Sequence, residues 1–198
     1  MDVEADITRL HSDGKLNEVA KLVLESYGPE VLGFLVTLLR DQADAWDAFG
    51  QASEDFWKGL PKFAGRSTMK TWFYALARNA AFRLKRSPHY KRRVAMSELS
   101  AEVAEIAQRV RTCTGLHLRS EVKAEVAAIR DELNEADRAI LVLRVDRDMD
   151  WLDVARVMSN DGATPSELTR VAARLRQRFQ LLKRTIRERA RERGLEGV

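Results

Sequence analysis

Apolar residues recur with a helical period along nearly the whole of this chain. No stretch shows the period-two alternation that a half-buried strand requires. Four prolines and ten glycines in 198 residues leave few places for a helix to stop. The expected fold is therefore all-α. Leu16, Val19, Ala20, Val23, Leu24 and Tyr27 form one amphipathic stripe. Gly28-Pro29 reads as a break, with Pro29 opening a second helix through Val31, Leu32, Leu35, Leu38 and Leu39.

The next helix is expected over 44–58 and is ended by Gly59 and Pro61. A further one over 68–86 is expected to bury Met69, Trp72, Phe73, Leu76, Ala80 and Leu84, and to stop at Ser87-Pro88. From 89 to 121 the pattern weakens into a linker with partial helix, carrying the basic cluster Lys91, Arg92 and Arg93. This gives two small helical domains, 1–88 and 122–198, joined by the linker 89–121.

In the second domain Val126, Ile129 and Leu133 make one stripe, and Ile140, Leu141 and Leu143 another. Asp150 is placed to cap a helix over 151–158, with Asp153 completing the pair. After the turn Ser159-Asn160-Asp161-Gly162 comes Thr164-Pro165-Ser166-Glu167. It reads as a helix start, with a threonine cap, proline at the first position and glutamate at the third. Leu168, Val171, Ala172, Leu175, Phe179, Leu182 and Ile186 hold one face of that helix, and the tail from Arg187 is expected to fray.

Charge is distributed unevenly about a net +4. Acid concentrates at 41–55, and Arg and Lys dominate 170–193. A lone Cys113 allows no intrachain disulfide, and His11, His89 and His117 have no metal-ligand spacing, so neither a metal nor another cofactor is expected. No basic-then-apolar leader opens the chain, and the run Val31–Leu39 is too short to cross a bilayer. The expectation is a cytoplasmic protein without membrane insertion and without an active site of its own.

Three surfaces carry function. On the 44–58 helix Asp44, Asp47, Gln51, Glu54 and Asp55 share a side, with Trp57 at its edge. Phosphates would repel such a face, so it suits a basic protein partner, although a solvated face is the commoner meaning of an acidic stripe. On the 68–86 helix Lys70, Thr71, Tyr74, Arg78 and Lys85 are assigned to the outward side. An aromatic among cations suits single-stranded nucleic acid. The loop Ala64-Gly65-Arg66-Ser67 precedes it, and Gly65 permits close backbone approach. On the capped C-terminal helix Ser166, Thr169, Arg170, Ala173, Arg174 and Gln177 face away from the apolar stripe. Arg176, Arg178, Lys183 and Arg184 flank them and suit phosphates. With the helix before it, this resembles a helix-turn-helix that presents its second helix to the major groove.

These residues resemble the bacterial sigma-70 family of the small extracytoplasmic-function type. The resemblance rests on Asp13-Gly14, Tyr27-Gly28-Pro29, Asp41 to Asp47, Leu60-Pro61-Lys62-Phe63, Gly65, Ser67, Thr71-Trp72 and Ala77-Arg78-Asn79. In the second domain it rests on Leu133 to Arg138, Leu141 to Arg144 and Trp151 to Ala155. Departures are Phe49-Gly50-Gln51-Ala52-Ser53 in the acidic helix, Met69 where the family often has an aromatic, and Asn134 where it tends to have proline.

The resemblance implies a factor that lends promoter specificity to core RNA polymerase. Asp44, Asp47, Gln51, Glu54, Asp55 and Trp57 would dock on the clamp helices of the largest polymerase subunit. Lys62, Gly65, Arg66, Ser67, Lys70, Thr71, Trp72, Tyr74, Arg78 and Asn79 would open and read the minus-ten element. Ser166, Thr169, Arg170, Arg174, Gln177 and Arg178 would read the minus-thirty-five element as duplex. An anti-sigma inhibitor is expected on the same ground. The alternatives are a stand-alone helix-turn-helix regulator, or a polymerase-binding adaptor that has lost promoter recognition.

Overall fold

In a computed structural model, residues 3–86, 101–114, 128–130, 132–159 and 162–193 are described. These residues are helical and contain no strand, and the chain divides into two compact units, Met1–His117 and Leu118–Val198. Several expected features lie outside the described residues. They are the Ser87-Pro88 stop, the cluster Lys91 to Arg93, Val126, Asn160-Asp161 and the side chain of Cys113.

The first unit consists of α1 (Val3–Ser12), α2 (Leu16–Leu39), α3 (Gln42–Gly59), a 3₁₀ turn (Leu60–Lys62), α4 (Met69–Arg86) and α5 (Ala101–Thr114). Gly28-Pro29 does not break the chain, because α2 runs through both residues. A proline removes one ladder donor, and here the helix continues because both of its expected halves bury apolar faces in one core. Val19, Val23 and Leu24 are buried before the proline, and Val31, Leu32, Phe34 and Leu35 after it. The resulting 24-residue helix is long and apolar enough to cross a bilayer by length and composition. It is the central core helix instead, with α3, α4 and α5 packed around it.

The second half of the expected linker also differs. Ala101–Thr114 forms α5 and packs along α2 within the first unit, burying Ile106, Ala107 and Val110. Gly28 lets it approach: a β-carbon there would lie 3.2 Å from both methyl groups of Val110.

α3 begins two residues earlier than its periodicity suggests, because Asp41 accepts a hydrogen bond from the Asp44 N–H at 2.7 Å and caps it. α4 lies between α2 and α3. Tyr74 packs edge-on against Phe34 of α2, while Phe73 meets Phe49 and Phe56 of α3.

The second unit consists of α6 (Glu135–Leu141), a π-type turn (Val142–Asp146), α7 (Trp151–Met158) and α8 (Pro165–Glu192). Its core joins Leu133, Leu141 and Leu182, with Phe179 and Ile186 packed against them. Asp150 caps α7 by accepting from the Leu152 and Asp153 N–H groups. Asp153 does not close a reciprocal pair; its carboxylate binds Arg156 at 2.9 Å. α8 carries a full capping box between Thr164 and Glu167. Its end does not fray at Arg187 but continues to Glu192, where Glu132 pairs with both Arg189 and Arg193.

One close contact makes a test of the packing. A β-carbon on Gly59 would stand 2.7 and 2.9 Å from Trp72 Cζ2 and Cη2. Trp72 is wedged between Phe56 and Phe63 at 4.9 Å on either side, so its ring has little room to yield. Gly59→Ala is expected to cost about 1–3 kcal/mol, as overpacked cores do. The urea-denaturation midpoint reads this, and an unchanged midpoint would mean that the indole moves freely.

Candidate nucleic-acid interface

Because α4 is gripped on two sides, it buries more than the one stripe that sequence periodicity assumes. Thr71 and Tyr74, expected to face outward, are buried at 3% and 0% exposure. Tyr74 packs on Phe34 and its hydroxyl lies 3.4 Å from Glu30. The Thr71 hydroxyl accepts from that of Thr68 at 2.9 Å. Neither is placed to stack on a base. Lys70 is half-buried and tied down, with Nζ 3.0 Å from Glu30 and over the Tyr27 ring. Arg78 is also half-buried, its guanidinium 4.4 Å from the Phe82 ring centre.

The open side of α4 is shifted from the expected one, although Lys85 is exposed as expected. It carries Trp72, Asn79, Arg83 and Arg86, which follow one another at seven, four and three residues, with Trp72 and Asn79 half-buried and Arg83 and Arg86 exposed. Trp72 was expected in the core by periodicity and among the minus-ten residues by resemblance; it occupies the margin between the two. Arg83 and Arg86 had no sequence signal to separate them from other surface cations. Arg83 forms an ion pair with Asp55 of α3.

The loop between the 3₁₀ turn and α4 is built as a shelf. Gly65 has φ +66°, a left-handed conformation that glycine adopts without strain. Phe63 lies against Trp72 and, edge-on at 5.8 Å, against His11. His11 Nε2 bonds the Leu60 carbonyl at 3.0 Å. The Glu4 carboxylate accepts from the Met69 and Lys70 N–H groups at 3.2 and 3.1 Å, so α1 caps α4 from outside its own chain segment. A cleft of about 870 Å³ opens between α1 and this loop, lined by Glu4, Thr8, His11, Phe63, Gly65 and Ser67 among others. Lys62 and Arg66 are exposed beside it, and Ser67 is half-buried. The contribution of α1 was not legible in sequence, because its contacts with this region join residues 49 to 66 positions apart.

On α3 the acidic face is only partly available. Asp44, Asp47, Gln51 and Trp57 are half-exposed, and Trp46, with no role expected from sequence, is 37% exposed at the start of the helix. Glu54 does not face solvent. It is 8% exposed and binds Lys58 at 2.7 Å. Helical angle on an isolated α3 puts it outward, but tertiary cover buries it. Asp55 is engaged by both Gln51 and Arg83.

In the second unit Ser166, Thr169, Arg170, Arg174 and Gln177 are all exposed on α8. Arg178 is not a free reader. Its Nε and Nη2 grip the buried Asp137 carboxylate at 2.7 and 2.6 Å, a fork that ties α8 to α6 and raises the arginine's pKa further above its ordinary value. The hydrogen bond from the Thr164 N–H, and then that from its hydroxyl, hold the Glu167 carboxyl below the ordinary glutamate range. Among the described residues no group of three or more His, Cys, Asp or Glu could hold a metal.

The cap gives a pH test. A carboxyl lowered in the folded state stabilises above its unfolded pKa, and that contribution is lost as pH falls through the lowered value. Thr164→Ala is expected to cost about 1 kcal/mol at neutral pH. Glu167→Gln should flatten the acid limb of the unfolding curve below the ordinary glutamate range, and an unaltered limb would remove the capping box from the account.

Residues 23–91 match the family model described as Sigma-70 region 2, a span that runs from within α2 through the whole of α4. The chain is also 28% identical over 148 residues to the RNA polymerase sigma-H factor of Pseudomonas aeruginosa, an alignment covering 69% of this chain and 73% of that protein. No solved structure matches the chain at a significant level.

Proposed function

The chain belongs to the sigma-70 family, and on that premise we propose that it binds core RNA polymerase through α3 and directs the polymerase to promoters through the loop, α4 and α8. The observation that supports this reading most directly is one of placement. A single compact unit holds an acidic helix, an aromatic-floored cleft and a helix with cations on its open side, all within or beside the matched span.

The roles divide by charge. Asp44 and Asp47, with Trp46 and Trp57 beside them, would meet basic groups on the polymerase clamp. Acid there favours a protein over phosphate. Phe63 and Trp72, with Asn79 and Arg86 further along α4, would receive the melted strand at the minus-ten element. Rings stack with bases of any identity while cations hold the backbone. Lys62, Gly65, Arg66 and Ser67 lie on the shelf that such a strand would cross. The first turns of α8, from Ser166 to Gln177, would enter the major groove of the minus-thirty-five element in the manner of a helix-turn-helix. Arg170 and Arg174 could bind guanine edges and Gln177 adenine. The chemistry of RNA synthesis stays with the polymerase, and the place of work is the cytoplasm. Two units of this size fit the extracytoplasmic-function type, for which an inhibitor that covers both units is a natural partner.

Run-off transcription with purified core polymerase on a genomic promoter pool tests the whole reading, and no chain-dependent transcript would overturn it. Asp44→Lys with Asp47→Lys should weaken core binding at least tenfold, about 1.4 kcal/mol. Asn79→Ala with Arg86→Ala should leave core binding intact and reduce permanganate reactivity of the opened strand; undiminished reactivity would remove α4 from strand opening. Arg174→Ala should alter the sequences enriched from a randomised promoter library, and an identical enrichment would show that Arg174 reads no base.

A further inference from the structure

The outward line of α8 is unusually continuous. Ser166, Arg170, Ala173, Gln177, Gln180, Arg184, Arg187 and Arg191 follow one another at alternating steps of four and three, and every one is exposed. Such a line stays on one side of a helix. From Ser166 to Arg191 it extends about 38 Å at 1.5 Å per residue. The DNA major groove is only about 12 Å wide. A straight helix that crosses it and offers its first turns to base edges would carry its later turns out over the sugar–phosphate wall. The composition changes along the line in the same sense. Its first half holds Ser, Arg, Ala and Gln, which suit base edges, while beyond Gln180 it holds only arginine.

We infer that Arg184, Arg187 and Arg191 form a track for the phosphate backbone of the same duplex whose bases the first half of α8 reads. The inference rests on the reading of α8 as a duplex-binding helix. Three further observations support it. The arginines of this segment are partitioned: Arg189 and Arg193, which lie off the line, both form ion pairs with Glu132. The three on the line have no acidic partner among the described residues. The end of the helix is also fixed in place from behind, by buried Leu182 and Ala190, by Ile186 and by Glu132, so the charges are presented on a rigid rod. Finally, the line offers phosphate what it wants and a protein little. The exposed apolar residue in this half is Leu181, too little for the desolvated centre that a protein interface needs.

The test uses the full-length chain, a fluorescent mixed-sequence duplex and anisotropy titrations over a range of salt. Each phosphate neutralised contributes about 0.9 to the slope of log affinity against log salt, so the variant R184Q/R187Q/R191Q should show a slope shallower by about 2.7. The lysine variant R184K/R187K/R191K should restore the original slope, since a phosphate contact needs charge rather than a guanidinium fork. Sequences enriched from a randomised duplex library should be the same for all three proteins. Equal slopes for the native chain and the glutamine variant, with helicity retained by circular dichroism, would overturn the inference. So would a glutamine variant that loses core-polymerase binding while its DNA slope is unchanged, because the line would then be a protein surface. A native chain that enriches no sequence would sink the base-reading role of Ser166 to Gln177, and the slopes would still decide the track.

Discussion

The double grip on α4 decides what the first unit can do. α2 takes one side of the helix through the Phe34–Tyr74 contact, and α3 takes another through Phe49, Phe56 and Phe73. Aromatic pairs in these edge-on and tilted geometries add specificity of orientation to the area they bury. The rotation of α4 is therefore set, and with it the identity of its open side. The same packing places Trp72 against Phe63, so the loop inherits its position from the core. Glu4 and His11 then secure the loop from the other side, through the N–H groups of Met69 and Lys70 and the carbonyl of Leu60. A surface proposed to receive a melted strand is in this way assembled on rigid elements, which is what precise placement of a flexible ligand requires.

The second unit shows a division of labour among like charges. Arg178 and Arg189 on α8, together with Arg193 just beyond its end, point back to Asp137 and Glu132, where they hold the helix against the rest of the unit. Arg170, Arg174, Arg184, Arg187 and Arg191 point away. Count and composition treat these as one basic helix; their acidic partners distinguish them. Asp137 is buried beneath Arg178, so the pair fixes one geometry rather than merely balancing charge. A comparable sorting runs through α3, where Glu54 and Asp55 are engaged internally by Lys58 and Arg83, while Asp47 is left to the surface.

Features written in short-range chemistry were legible in the sequence. The Thr164-Pro165-Glu167 start of α8 is a local hydrogen-bond pattern among neighbouring residues, and the structure contains it. The Asp150 cap, the 44–58 and 68–86 helices and the apolar stripe of α8 were readable for the same reason. Where reading failed, the cause was a partner distant in sequence. Gly28-Pro29 reads as a break because proline costs a backbone hydrogen bond, and nothing local records that both flanking stripes enter one core. Tyr74 reads as outward because a stripe implies one buried face, and nothing local records that α4 has two neighbours. Arg178 reads as a base reader because its acid lies forty-one positions earlier.

What the sequence alone determined is the helical class, the helices that became α3, α4, α7 and α8, the Asp150 and Thr164 caps and the uneven distribution of charge, since each follows from periodicity and contacts a few residues long. Only the tertiary structure decided which residues on those helices are available. Burial and ion pairing depend on side chains brought together from across the chain, as when α1 closes on a loop more than fifty residues away and Asp137 engages the guanidinium of the still exposed Arg178.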